Sequence, residues 1–274
     1  MKRIMFALVA AGAAAVMAEG EISSQNVVGY NTGTIESKYQ VFGVNFTKED
    51  GSNYKIDDLF TYDSSKMTAA HAFSNADQIQ IANATGGYTF YYLLDGYNGK
   101  GKNFNAEYVG KWAVSGQNTP AEAEVPPGTV FWYVRKDATL GALPVTFSGA
   151  VADLGSTELS VKEKYRLIGN PYSAPLYLNQ HLTVSGGTQA HSFDNGDQIQ
   201  VANTSGGYTF YYLLDGYNGK GKNYNAEYVG KWALGGQNTP ADDACIPVGK
   251  GAWYVRKNTD DATFKVTLTQ PYSL

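Results

Sequence analysis

The sequence predicts an all-β protein built from two tandem antiparallel modules, each a β-sandwich or small β-barrel, with only short helices. Three observations predict it. Residues 76–120 recur at 196–240 with 38 of 45 positions identical, and Gly86 to Asn103 returns unchanged as Gly206 to Asn223. The repeat, about 120 residues long, is far larger than the ~20–50 residues of a solenoid unit, so each copy has the length for its own core. Within each copy, apolar and polar residues alternate with the period of a half-buried strand, and clusters of Gly, Asn and Pro punctuate that alternation.

In chain order, Lys2 and Arg3 precede an apolar run from Ile4 to Val16, and small residues follow up to Ala18. This is the layout of a secretory signal peptide over residues 1–18, cleaved after Ala18. The run falls short of the ~20 residues that cross a hydrocarbon core, and no later stretch reaches that length, so an exported chain with no membrane span is expected. Module 1 then occupies residues 19–152 and module 2 residues 153–274, with the boundary in the turn-rich Ala152-Asp153-Leu154-Gly155-Ser156.

Inside module 1, Gln78-Ile79-Gln80-Ile81 alternates, Asn83 to Gly87 supplies turn residues, and Tyr88 to Leu94 resumes the apolar pattern as a β-hairpin. Further strands are expected near Glu107–Val114, Thr129–Arg135 after the Pro126-Pro127-Gly128 turn, and Val145–Val151. Their equivalents in module 2 fall near Glu227–Leu234, Gly251–Arg256 and Thr263–Thr269. Short helices are expected around Ile56–Tyr62 and Tyr177–Leu182.

Composition narrows the function classes. The formal net charge is −4, and loss of Lys2 and Arg3 makes it −6 with no basic cluster, which argues against nucleic acid as a partner. Only 17% of residues are charged, against 21 Tyr and 31 Gly, a composition suited to contacts with sugars or proteins. The single cysteine, Cys245, forbids an intramolecular disulfide, so core burial or partners must hold each module together.

Four short segments carry a family resemblance: Asn26-Val27-Val28-Gly29-Tyr30, the Leu167-Ile168-Gly169-Asn170-Pro171 step, the Gly-Tyr-Thr hairpin, and Pro247-Val248-Gly249-Lys250-Gly251-Ala252-Trp253. In this order they resemble an uncharacterised family of secreted β-rich repeat modules of Gram-negative bacteria. The first copy departs from the pattern, with Val44-Asn45-Phe46 in place of the Asn-Pro step. The resemblance implies export and a β fold, and assigns no catalytic residue.

Several strings invite a chemical reading. Gly96-Tyr97-Asn98-Gly99-Lys100-Gly101-Lys102 has the spacing of a phosphate-binding loop, but Asn103 follows where Ser or Thr should ligate magnesium, and no helix pattern comes next. Asp95, Asn98, Asn103, Asn105 and Glu107 offer oxygens for calcium, yet their spacing is not that of an EF-hand and two lysines sit among them. The plainer reading is that these side chains cap turns. Asp95 with Glu107, or Asp215 with Glu227, would be the carboxylates of a glycoside hydrolase, and His71 and His191 have no recognisable nucleophile beside them. No cofactor and no metal are expected.

The remaining signal is aromatic. Tyr97, Asn98, Asn103, Tyr108 and Trp112, with Tyr217, Asn218, Asn223, Tyr228 and Trp232, form a repeated Gly/Asn loop of flat rings and amides, the chemistry that stacks on and hydrogen-bonds a sugar. Trp132 and Trp253 lie on strand patterns and read as core. Duplicating a contact loop gives a binder a second, intramolecular contact, whereas an enzyme gains little from it. The leading expectation is a non-catalytic exported protein acting in adhesion or assembly at the cell surface or in extracellular matrix. Its partners would be polysaccharide, envelope or matrix proteins, or further copies of itself. The alternative is a soluble carbohydrate-binding protein using the repeated loops, with a hydrolase third.

Overall fold

A computed structural model of the chain describes residues 27–36, 38–83, 87–203, 207–218, 220–260 and 263–274. The expected signal peptide, residues 1–18, lies outside the described residues. The fold is all-β: the strands form several antiparallel sheets that do not close into a barrel, and the one α-helix among the described residues spans Leu178–His181. Among the described residues no helix is long and apolar enough to cross a membrane.

Module 1 packs two layers face to face. One is a five-stranded sheet in the order Tyr39–Gly43, Val130–Val134, Gln78–Ala82, Tyr88–Leu93 and Trp112–Val114. The other is the ladder of Val28–Ile35 with Leu143–Ala150. Alternation decides which side chains meet: Leu143, Val145 and Phe147 point inward from the ladder, and Phe42, Ile79, Phe131 and Tyr133 point inward from the sheet. Phe147 meets Phe42 and Phe131 edge-on, each at 6.4 Å between centroids, which fixes the two layers against each other.

Module 2 repeats the design. Its sheet runs Tyr165–Gly169, Gly251–Val255, Gln198–Ala202, Tyr208–Leu213 and Trp232–Leu234, facing a second layer of Ser156–Leu159, Lys265–Thr269 and Leu182–Ser185. The two apolar cores share no residue.

The hairpin, the strand after Pro126-Pro127-Gly128 and the Leu143–Ala150 strand lie where the alternation places them. The strand expected over Glu107–Val114 is shorter. The Asn105 side chain accepts the Glu107 N–H at 3.0 Å and winds Ala106–Tyr108 into a 3-10 turn, so only Trp112–Val114 extends. The helix expected over Ile56–Tyr62 is likewise a 3-10 turn, Ile56–Asp58.

The modules meet through equivalent surfaces. Gly43 donates its N–H to the Gly249 oxygen at 2.9 Å, and a Cβ there would come within 2.9 Å of the Lys250 oxygen. Its counterpart Gly169 lies so close to the Gly128 oxygen that a Cβ would collide with it. Val130 and Gly251 occupy the same position in the two copies, and they face each other, with Val130 Cγ1 2.6 Å from where a Gly251 Cβ would sit. Reciprocal contacts of this kind are those of a two-fold interface, here contained within one chain.

Candidate functional site

The repeated loop is a pinned finger. Asp95 accepts the Tyr97 N–H at 2.9 Å, Asn98 accepts the N–H groups of Lys100 and Lys102 at 3.2 and 3.0 Å, and the Asn98 N–H reaches the Asn103 oxygen at 2.9 Å. Gly96 closes the base at φ +89°, where a Cβ would sit 2.8 Å from the Asn105 oxygen, so only glycine fits. Module 2 reproduces these bonds through Asp215, Asn218 and Asn225, including 2.9 Å from the Tyr217 N–H to Asp215. Of the oxygens that resembled a cation site, those of Asp95, Asn98 and Asn105 are thus turn caps. Among the described residues no group of three or more His, Cys, Asp or Glu side chains could hold a metal ion.

Each finger carries one ring pair and one acid–imidazole pair. Tyr97 and Phe104 bridge across the finger with centroids 4.9 Å apart, and Tyr217 and Tyr224 do the same. At the base, His71 Nδ1 lies 3.1 Å from Asp95 Oδ2, and His191 Nδ1 lies 3.1 Å from Asp215 Oδ2.

The ten residues predicted to bind ligand divide into three groups. Tyr97, Asn98 and Asn103, with Tyr217, Asn218 and Asn223, lie on the fingers. Tyr108 and Tyr228 are half-buried beneath them, packed on small clusters around Tyr92 and Tyr212. Trp112 and Trp232 are overturned as ligand platforms, being 0% and 1% exposed. Each opens an inward-facing strand and meets Tyr133 or Tyr254 edge-on at 6.0 and 5.9 Å. Trp132 and Trp253, which read as core, are the reverse. They sit one residue out of phase with the inward-pointing Phe131 and Tyr133, or Ala252 and Tyr254, and so stand half-exposed on the outer sheet faces. Phe104 and Tyr224, 56% and 58% exposed, are contact candidates that the sequence reading passed over.

The repeated Asp-Gln-Ile-Gln motif anchors the core. Asp77, 1% exposed, accepts the Tyr133 hydroxyl at 2.8 Å, the Lys136 N–H at 2.7 Å and the Thr68 N–H at 3.2 Å. Burial raises its pKa above the ordinary carboxylate value, against those hydrogen bonds and nearby Arg135. Arg135 is itself buried and donates to the carbonyls of Ile35, Lys66 and Gly141. Asp197, Tyr254 and Arg256 repeat the arrangement, with the Tyr254 hydroxyl 2.9 Å from Asp197. Cys245 is half-buried, and burial followed by Asp243 raises its thiol pKa, away from a reactive thiolate.

No family pattern, no curated protein and no solved structure matches the chain.

Proposed function

We propose that this chain is an exported, non-catalytic protein that acts in adhesion or assembly at the cell surface or in extracellular matrix, and that it belongs with the secreted β-rich repeat modules its motifs resemble. One observation carries the reading: two fingers of the same construction each hold a ring pair in solvent, Tyr97 and Phe104 at 42% and 56% exposure and Tyr217 and Tyr224 at 42% and 58%. Rings on a hydrogen-bonded turn lose little conformational freedom on contact, and two such fingers in one chain make the second contact intramolecular. Asp95 and Asp215, one carboxylate of each pair a hydrolase would need, cap the Tyr97 and Tyr217 N–H groups at the base of the fingers, which favours a part in holding the contact loop.

The test compares the mature protein with a variant in which Tyr97, Phe104, Tyr217 and Tyr224 are all alanine, by sedimentation velocity and cell fractionation. The expected result is self-association or surface retention of the unaltered protein and its loss in the variant. A strictly monomeric, freely diffusing mature protein, or a variant indistinguishable from it, overturns the reading.

A further inference from the structure

A second set of aromatic side chains lies apart from the fingers. On the outer face of each five-stranded sheet one row runs across neighbouring strands in register: Trp132, Gln80 and Phe90 in module 1, and Trp253, Gln200 and Phe210 in module 2. Phe90 and Phe210 are 37% and 40% exposed, and both tryptophans are half-buried. Tyr88 and Tyr208 flank these rows at 6.2 and 6.5 Å from Phe90 and Phe210.

At the seam these surfaces converge on a recess. A cavity of about 170 Å³ is lined by Tyr88 of module 1 and by Tyr165, Arg166 and Trp253 of module 2. It shares Ala82, Arg166 and Leu167 with a larger cavity of about 440 Å³. Burial is the main cause raising the Tyr88 phenol pKa, the Trp132 side chain and Arg166 act against it, and Tyr208 adds to it, as groups gathered around one site would.

We propose that this seam is a binding site for an uncharged polysaccharide, with a sugar ring stacked on Trp253 and Tyr88 and its hydroxyls taken by Arg166. Flat rings beside a guanidinium match the two faces of a pyranose, apolar C–H on one and hydroxyl on the other. The recess suits a narrow chain, whereas a stable protein partner needs roughly 800 Å² of matching surface on each side. An uncharged ligand is favoured at the recess itself, where Arg166, the charged side chain among its described lining residues, is already paired. Arg166 donates to the Asn83 oxygen at 2.8 Å and stands 3.8 Å from Glu163, while Glu158 on the larger cavity's wall is held by Lys265 at 3.0 Å. The guanidinium has five N–H donors, enough for its protein partners and a pair of vicinal hydroxyls. In the first copy Gln40 stands where the second has Arg166, so the two halves of the seam are chemically unequal.

This inference does not depend on the adhesion reading, since the fingers are not part of the site. The test is native affinity electrophoresis of the full mature chain in gels containing hydroxyethylcellulose, xyloglucan, glucomannan, arabinoxylan or polygalacturonate. Retardation by at least one neutral polymer is expected, weakened about tenfold or more by Trp253→Ala and measurably by Arg166→Gln. It should be unchanged in Tyr97→Ala/Tyr217→Ala. Because Trp253→Ala disturbs a half-buried position, circular dichroism checks its fold, and Arg166→Gln, which borrows the residue of the first copy, serves as the conservative probe. Four results overturn the proposal: no retardation by any polymer, retardation by polygalacturonate alone, retardation indifferent to both seam substitutions, or equal loss in the finger variant.

Discussion

Replacing Asp77 by alanine removes the acceptor at the centre of module 1. The Tyr133 hydroxyl and the Lys136 N–H, bonded at 2.8 and 2.7 Å, lose their partner, and the longer Thr68 contact at 3.2 Å goes with them. A buried donor left unsatisfied costs about 1–3 kcal/mol, so the two short bonds together represent about 4 kcal/mol. Part of this is offset, because burial has already raised the Asp77 pKa and the ionised carboxylate carries a desolvation cost of its own. A net loss of about 3 kcal/mol is expected. With a urea dependence of about 2 kcal/mol per molar, the unfolding midpoint of module 1 should fall by about 1.5 M. Urea titration followed by tryptophan fluorescence reads this, and Asp197→Ala should produce the matching loss in module 2, whose core is separate. Tyr133→Phe, which leaves the backbone donors of Asp77 in place, should cost only about 1 kcal/mol. A midpoint shift below about 0.5 M for Asp77→Ala would refute the assignment of this motif to core anchoring.

Trp112→Ala and Trp232→Ala should each cost about 3–5 kcal/mol, as the loss of a large buried aromatic does, read as a drop in thermal midpoint; a cost under about 1 kcal/mol would return these rings to the surface. Gly169→Ala should push module 2 away from the Gly128 carbonyl, raising the radius of gyration in small-angle scattering while circular dichroism stays constant, and an unchanged radius would contradict the seam described above. At high pH the phenols of Tyr133 and Tyr254 stay protonated, because burial and then the adjacent Asp77 or Asp197 raise their pKa above 10.0. The folded state therefore keeps protons that the unfolded chain loses near pH 10, so the stability these groups add is complete below that pH and declines above it. Phenolate absorbance should show Tyr133 and Tyr254 among the tyrosines that titrate only on unfolding, and Tyr133→Phe/Tyr254→Phe should flatten the alkaline loss.

The duplication and the hairpins were legible in the residues because identity at a fixed offset and period-two alternation are strong local signals. The Val28–Ile35 strand was not, since its pattern VGYNTGTI buries only Ile35 and carries almost no apolar alternation. The tryptophans show where sequence reading reaches its limit. Trp112 stands beside a Gly/Asn loop and Trp132 inside an apolar strand, yet strand phase, not neighbourhood, decides which one faces the core. The recess at the seam has no local signature, because Tyr88 and Trp253 belong to different copies and meet only through the packing of Gly43, Gly169 and Val130.

A homodimer built from one gene must alter both halves together, since every substitution appears twice. Joining the halves in one chain lifts that constraint, and an arginine at 166 where the first copy has glutamine at 40 is a difference that a symmetric pair could not hold. Fusion also fixes the ratio of halves at one to one and makes their meeting independent of concentration. Whatever the seam recognises, it can therefore be read in a single direction.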